Sequence, residues 1–446
     1  MKDQSFFERL NLWIKNSITI KLISIGILIL IMLIPTSMIE SLIWERKNTM
    51  DNAVTEVSSK WGNAQTITGP VLTVPYKAYK KAEDGKIIEV TDYAHFLPEK
   101  LNINGNITPE MRYRGIYEVV VYNSKLSFNG NFISPNLHDW NIPENQIIWK
   151  DAFIGLGIPD MRGIEEKIIL KWNEQSLFFN PGVDSKDIME SGVSVKVPLA
   201  ISDTAKIYNF SFELSLNGSG DLDFIPLGKE TNVQLASTWP SPSFDGVFLP
   251  DKREINDKGF KATWNILHLN RNYPQQWRNA EFNVAQSFFG VKLLVPVDEY
   301  QKTTRSAKYA VMLITLTFIL FFFSEVLNKK RIHPVQYILV GIALCIFYTL
   351  LLALSEHVNF NLAYMISSIA VIVLITVYSL SIFKNRKMSA LMCMILMILY
   401  AFVFTILQLE DYALLMGSIG LFIVLAVIMY LSRKINWYSP NAEETE

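Results

Sequence analysis

Residues 21–40 read KLISIGILILIMLIPTSMIE, and nothing between Lys21 and Glu40 carries a charge. A helix rises 1.5 Å per residue, so about 20 apolar residues cross the roughly 30 Å hydrocarbon core of a bilayer. The stretch outruns the roughly 7–15 apolar residues of a secretory signal. No small-x-small cleavage pattern follows Ile34-Pro35-Thr36-Ser37, so it reads as an uncleaved signal anchor. Five more stretches of this kind lie downstream, at 309–328, 334–355, 358–383, 388–409 and 412–432, separated by only a few polar residues. Buried helices of a soluble domain do not repeat at that length and spacing. Six transmembrane helices are expected.

The composition agrees. Of 446 residues, 50% are hydrophobic and 19% are charged, whereas soluble domains carry about 25% charge. A net charge of -1 gives no global field to attract nucleic acid, and no nucleic-acid partner is expected. The two cysteines, Cys345 and Cys393, both fall in apolar stretches, which excludes a disulfide framework.

Orientation follows from Lys and Arg in the short loops. Lys2, Arg9, Lys15 and Lys21 precede helix one. Lys329, Lys330 and Arg331 separate helices two and three, and Lys384, Arg386 and Lys387 separate four and five. Arg433 and Lys434 follow helix six. All twelve lie on one side, and the opposite short loops, Glu356-His357 and Glu410-Asp411, hold none. This predicts a cytoplasmic tail over 1–19, helix one over 20–40, an external domain over 41–308, a five-helix bundle over 309–432 and a cytoplasmic tail over 433–446.

The external domain begins with an amphipathic helix over 41–61. Ile43, Met50, Val54, Val57 and Trp61 form its apolar stripe, and a stripe needs a partner, so it should pack on the domain. From 62 to 300 the period becomes two. Leu126, Phe128 and Phe132 alternate with polar residues, as do Val193, Val195, Val197 and Leu199, and Phe210, Phe212, Leu214 and Leu216. Alternation marks strands with one wet face. Asn104-Gly105, Asn129-Gly130 and Asn217-Gly218 read as turns between them. The fold class is a membrane protein of α + β type, with a large, mainly antiparallel, sandwich-like β domain between helices one and two. Its size suggests two sub-domains dividing near residue 190. Gly69-Pro-Val-Leu-Thr-Val-Pro75 and Gly290-Val-Lys-Leu-Leu-Val-Pro296 echo each other, at the domain's entry and exit, and should form strands no more than two apart.

Chemistry is scarce. The five histidines, His95, His138, His268, His333 and His357, show no metal-ligand spacing, and no Cys/His cluster exists. Asn217-Gly-Ser-Gly220 lacks the strand-to-helix context of a nucleophile elbow. Gly155-Leu-Gly157-Ile-Pro-Asp160 lacks the third glycine of a dinucleotide loop. No catalytic residue, cofactor or metal is expected. The segment Trp239-Pro-Ser-Pro-Ser-Phe-Asp-Gly246 stands out as a candidate interaction loop, carried by Trp239, Pro240, Pro242, Phe244, Asp245 and Gly246. The competing reading makes its aromatics core plugs on a rigid connection. In the bundle, Glu325 should pair with Lys329 one turn on, and no charge sits at mid-bilayer to drive an ion-coupled pump.

The whole chain resembles the CreD family of inner-membrane proteins. The resemblance rests on Trp61-Gly62 with Gln65, on Gly69-Pro70 through Pro75-Tyr76, on Asp160-Met-Arg162-Gly163 and on the Trp239–Gly246 segment with Leu249-Pro250. It continues through Phe289-Gly-Val291, Pro296-Val-Asp298 with Tyr300, Lys308-Tyr309 leading to Leu316-Thr-Phe318, His333-Pro334-Val-Gln-Tyr337 with Gly341, and Ser355-Glu356-His357. These family-signature positions are expected to be structural. The resemblance implies a Gram-negative inner-membrane location, a periplasmic domain and a role in envelope integrity and stress tolerance, linked to a two-component system. It supplies no catalytic residues.

Three function classes follow. The first is a non-enzymatic protein whose periplasmic domain contacts envelope proteins, lipid or glycan, with the bilayer as its constant partner. The second is a transporter or lipid-handling protein using the helix bundle, which would need a continuous polar cavity at membrane depth. The third is an enzyme with an unrecognised site, which would need titratable groups clustered in one deep pocket.

Overall fold

A computed structural model describes residues 18–81, 86–199, 206–293, 299–328, 330–409 and 412–433. Two compact units emerge, one from Met1–Thr49 with Val297–Glu446 and the other from Met50–Pro296.

The first unit is helical. Helix α1 spans Ile18–Trp61, and its residues through Thr49 belong here. It is followed by α2 (Glu299–Lys308), α3 (Ala310–Leu327), α4 (Pro334–Ser355), α5 (Phe360–Phe383), α6 (Arg386–Gln408) and α7 (Ala413–Ser432). Among the described residues, five helices are long and apolar enough to cross a membrane. A sixth span exists if α2 and α3, bent by 41° at their junction, act as one. The junction is a tight turn in which the Tyr309 N–H donates to the Ser306 carbonyl.

The helix starts follow from their sequence. His333 caps α4, its Nδ1 accepting from the Val335 N–H, while Gln336 reaches back to the His333 N–H and Pro334 takes the first helical position. Asn359 and Asn385 cap α5 and α6 with their side-chain oxygens, which accept from the Leu362 and Lys387 N–H groups. Packed rings fill the bundle interior: Phe347 lies 4.8 Å from Tyr348 and Tyr400 and 5.3 Å from Tyr364. Glu325 is buried, and its carboxylate binds Lys21 of α1 at 2.8 Å. The expected partner, Lys329, lies outside the described residues.

The second unit is built of strands. In chain order these are β1 (Gln65–Lys81), β2 (Ile87–Phe96), β3 (Lys100–Arg114), β4 (Tyr117–Ile133), β5 (Phe153–Gly157), β6 (Ile169–Trp172), β7 (Gln175–Phe178), β8 (Asn180–Pro181) and β9 (Gly192–Lys196). Then come β10 (Ile207–Ser219), β11 (Asp221–Phe224), β12 (Glu230–Ser237), β13 (Pro242–Gly246), β14 (Lys252–Asn256), β15 (Gly259–Leu267), β16 (Gln276–Arg278) and β17 (Phe289–Leu293). One sheet runs β13-β17-β11-β1-β5-β9-β8, with β2 added on β1 and β16 on β2, and the other runs β14-β15-β12-β3-β4-β10-β6-β7. Pairing is antiparallel except at β1·β11 and β3·β12. One core draws Leu72, Val74 and Ile154 from the first sheet and Phe128, Phe212 and Trp264 from the second. Alternation put them there: Tyr208, Phe210, Phe212, Leu214 and Leu216 of β10 are all buried.

Two sequence expectations need correction. The Asn-Gly pairs at 104–105, 129–130 and 217–218 are not turns but lie inside β3, β4 and β10. Each glycine makes room for something facing it. A Cβ would sit 2.6 Å from Leu235 at Gly105, 1.9 Å from the Lys100 carbonyl at Gly130 and 2.3 Å from the Tyr122 hydroxyl at Gly218. The hairpin turn between β3 and β4 is instead at Gly115, with φ +62°. Nor does the domain divide near residue 190, because β10 pairs with β4 and β9 with β5 across that point. The two echoing segments do lie close, since β11 pairs with both β1 and β17. Pro296 and residues 294–298 lie outside the described residues.

Candidate functional site

The end of α1 is fastened into the β unit by side chains from distant parts of the chain. Its last turn closes at Gly62, whose N–H donates to the Ser58 carbonyl at 2.8 Å. Gly62 has φ +151°, and a Cβ there would lie 2.6 Å from the Asn217 carbonyl oxygen. Only glycine suits both demands. Trp61 donates its indole N–H to the Tyr122 carbonyl at 3.1 Å, under the Arg112 guanidinium at 4.7 Å from the ring centroid. Glu56 adds an ion pair to Arg114 of β3 at 2.9 Å.

Behind this turn, Gln65 is completely buried. Its amide donates to the carbonyls of Asp160 at 3.0 Å and Asn217 at 3.1 Å, and its Oε1 accepts from the Asp160 N–H. Asp160, 8% exposed, accepts four N–H groups. Oδ1 takes the Arg162 backbone N–H and Nε, and Oδ2 takes Arg162 Nη2 at 2.7 Å and the Asn63 N–H at 3.0 Å. Arg162 in turn donates to the Ser59 carbonyl in the last turn of α1. The guanidinium bonds, chiefly, hold the Asp160 carboxyl down at about 2. Gly163 completes the node, because a Cβ there would sit 2.3 Å from the Asn217 carbonyl oxygen. Both carboxylate oxygens and the Gln65 amide are thus committed to the protein itself. The arrangement orients a helix end and has no open valence for a reacting group.

Two further nodes lie in the helical unit. Glu356, in the α4–α5 loop, accepts from the Tyr300 hydroxyl at 2.8 Å and has Arg46 of α1 at 3.8 Å. At the other ends of the helices, Glu325 accepts from Lys21, from the Ile332 N–H at 3.2 Å and from the Tyr337 hydroxyl at 3.1 Å, beside the His333-Pro334 cap.

The sequence profile of the family described as "Inner membrane protein CreD" matches residues 17–438. The chain is also 34% identical over 432 residues to the inner membrane protein CreD of Escherichia coli (strain K12), covering 96% of this chain and 95% of that one. The chain belongs to the CreD family. It is therefore an inner-membrane protein, with several helices long and apolar enough to cross a membrane and a large β unit.

The CreD resemblance had singled out positions that the fold gathers into these nodes. Trp61, Gly62, Asp160, Arg162 and Gly163 meet in the first, Tyr300 and Glu356 in the second, and His333 and Pro334 border the third. Gly69 and Pro70 sit at a bulge of β1 against β5, with a cis bond between them, and Pro75 lies inside β1, its carbonyl accepting from the Ile148 N–H. The Trp239–Gly246 segment is not a free loop. Pro242–Gly246 forms β13, an edge strand on β17. Phe244 is half-buried, 5.8 Å from Phe260 and 5.7 Å from Trp264, and Trp239 packs on the core. Pro240 and Asp245 face solvent, and Gly246 has φ +96°. The exposed apolar side chains are the next ones, Val247 and Leu249. An open recess of about 420 Å³ lies elsewhere in the unit, where Met50, Val54 and Ser58 of α1 face Val119, Val120 and Leu293, with Glu118 at its edge.

Sequence reading missed one cluster. Thr73 of β1 bonds the His95 Nδ1 at 3.0 Å, and the His95 Nε2 meets Asp187 at 3.0 Å. With Asp187 ionised, the ring donates from Nε2 and accepts the Thr73 hydroxyl at Nδ1. The His95 bond is the main reason the Asp187 carboxyl lies below its usual range. The order hydroxyl, imidazole, carboxylate is that of acyl-transfer enzymes. Yet Thr73 is buried between Phe153 and His95 on the neighbouring strands, so a substrate carbonyl has no approach to it. The three residues are separated by 22 and 92 positions, and no local pattern links them. Among the described residues no group of three or more His, Cys, Asp or Glu could hold a metal.

Proposed function

We propose that this CreD-family protein is a non-enzymatic support of envelope integrity. Its termini are cytoplasmic, and its β unit works in the periplasm by contacting envelope proteins, lipid or glycan. The single observation that carries this reading is the Asp160–Gln65–Arg162 node. The polar chemistry gathered there is spent on bonding a helix end to the β unit, which suits a binding platform rather than a reaction centre. The twelve-to-none loop charge bias supports the orientation. The alternative, a transporter or lipid-handling protein, is disfavoured by the Phe347, Tyr348, Tyr364 and Tyr400 rings packed edge to face between the helices.

The test is photo-crosslinking in living cells from residues introduced at Leu249 and at Glu118, beside the apolar recess. The expected result is an adduct with one periplasmic component from at least one site, together with lost envelope-stress tolerance for Leu249→Glu or Glu118→Trp. If both positions stay uncrosslinked and both variants fully restore tolerance, the platform reading fails. A cysteine at 249 should also react with a membrane-impermeant maleimide added outside spheroplasts; reaction only after lysis would invert the topology.

A further inference from the structure

The helical unit contains a cavity of about 480 Å³ between the start of α1 and the start of α4, where Glu325 meets Lys21. From its walls and its position we propose that it binds the headgroup of an anionic phospholipid. This does not depend on the role proposed above.

The walls are of two kinds. Lys21, Arg331, His333 and Ser24 supply the polar side, and Ile25, Leu28 and Ile332 supply the apolar side. The acid in the cavity offsets only one of its two fixed cations, Lys21. Glu325 is 3% exposed and already accepts from Lys21, Tyr337 and the Ile332 N–H. It therefore acts as a fixed anchor. An ammonium carries three donors, and among the described residues Glu325 takes one from Lys21, which sets the ammonium in place to meet a second anion. Arg331 brings a guanidinium, whose planar fork matches phosphate oxygens. The first turn of α4, with its positive dipole end, borders the same space.

Position decides which anion. The apolar run of α1 begins directly after Lys21, and that of α4 directly after Pro334. The cationic part of the cavity thus lies where two membrane helices leave the hydrocarbon, at headgroup level. Its apolar part, Ile25 and Leu28, lies one and two turns deeper along α1. A free phosphate would have no use for that wall, whereas a phospholipid presents both a phosphate and acyl chains. Basic pockets between membrane helices hold anionic headgroups elsewhere by this combination.

The experiment is native mass spectrometry of the full-length protein in detergent, titrated with phosphatidylglycerol and separately with phosphatidylethanolamine. Variants Arg331→Gln and Lys387→Gln are compared, the second being an exposed cation at the start of α6, away from the cavity walls. The phosphatidylglycerol dissociation constant should rise about fivefold for Arg331→Gln, the worth of one cation near an anionic surface. It should stay unchanged for Lys387→Gln, and phosphatidylethanolamine should bind more weakly than phosphatidylglycerol. Thermal unfolding of both variants confirms that each is folded. Equal weakening by the two variants would mean diffuse surface charge. Displacement of the lipid by inorganic phosphate at millimolar concentration would mean a site for a soluble anion. No preference between the two lipids would mean an ordinary annular contact. Each of these outcomes overturns the proposal.

Discussion

Replacing Asp223 by Asn should stabilise the β unit at pH 8 and leave it unchanged at pH 4. Asp223 lies on β11, opposite Gly290 of β17, and Asp245 of β13 lies opposite the same glycine. Gly290 leaves the space the carboxylate occupies, since a Cβ there would be 2.4 Å from Asp223 Oδ1. Burial first, and then the neighbouring Asp221 and Asp245, push its carboxyl up to about 7, against a small opposing pull from Lys292. The sign follows from which state releases its proton first. Below the ordinary carboxylate range, both folded and unfolded chains are protonated and nothing is lost. Between there and about 7 the unfolded chain ionises while the folded chain does not, so stability falls with rising pH. A shift of about three units at about 1.4 kcal/mol each gives an upper value near 4 kcal/mol. The side chain is partly exposed, so solvent screening leaves about half of that, roughly 2 kcal/mol. Asparagine keeps the shape and removes the charge. At 2–4 °C per kcal/mol, the melting temperature at pH 8 should rise by about 4–8 °C. Seven of the ten tryptophans lie between Met50 and Pro296, so intrinsic fluorescence of the full-length protein reports this unit. A gain of equal size at pH 4 and pH 8, or a loss at pH 8, would refute the assignment.

The other predictions concern the nodes and the bundle. Asp160→Asn should cost about 2 kcal/mol at pH 7. A carboxyl held at about 2 contributes stability above the ordinary range that fades as pH falls through that value, so the melting-temperature deficit should shrink toward pH 2.5; a deficit independent of pH would show that the charge is irrelevant. Gly163→Ala should destabilise by about 1–3 kcal/mol, because the new methyl meets the Asn217 carbonyl rather than a flexible side chain, and an unchanged unfolding midpoint would contradict this packing. The Tyr348 hydroxyl is buried with no partner among the described residues. Tyr348→Phe should therefore be neutral or stabilising by about 1 kcal/mol in detergent unfolding, and a loss of that size would reveal a bound water or another unseen partner.

The membrane helices were legible because a bilayer imposes one strong rule, length times apolarity, that local sequence satisfies alone. Helix α4 begins at the His333-Pro334 cap and ends at Ser355, where the apolar run ends. The strands were legible for a similar reason, since a sheet with one wet face writes a period of two into Phe210, Phe212, Leu214 and Leu216. Asn-Gly misled because glycine answers two different needs. A turn wants its φ freedom, whereas Gly105, Gly130 and Gly218 are glycine so that Leu235, the Lys100 backbone and Tyr122 can come close. The second need is set by a partner strand, which a local reading does not see.

The site was legible only as a set of unexplained residues. Asp160 and Gln65 are 95 positions apart, and Asp160 and Arg162 alone would read as a surface pair. What makes the node costly to disturb is that the Asp160 side chain gathers four N–H groups while its backbone holds the buried Gln65 amide: removing the carboxylate strands the Asn63 and Arg162 N–H groups. The same logic separates the two acids that sequence treats as equals. Asp160 accepts four N–H groups and stays charged at low pH, while Asp223 is given neighbouring carboxylates and keeps its proton toward neutrality. The donors around Asp160 hold its charge, whereas burial first and neighbouring carboxylates second keep the proton on Asp223. A double variant tests this. If donors decide, Asp160→Asn combined with Arg162→Gln should cost little more than either alone, because both remove one set of bonds. Additive losses would show that Arg162 stabilises the end of α1 through Ser59 independently of the carboxylate.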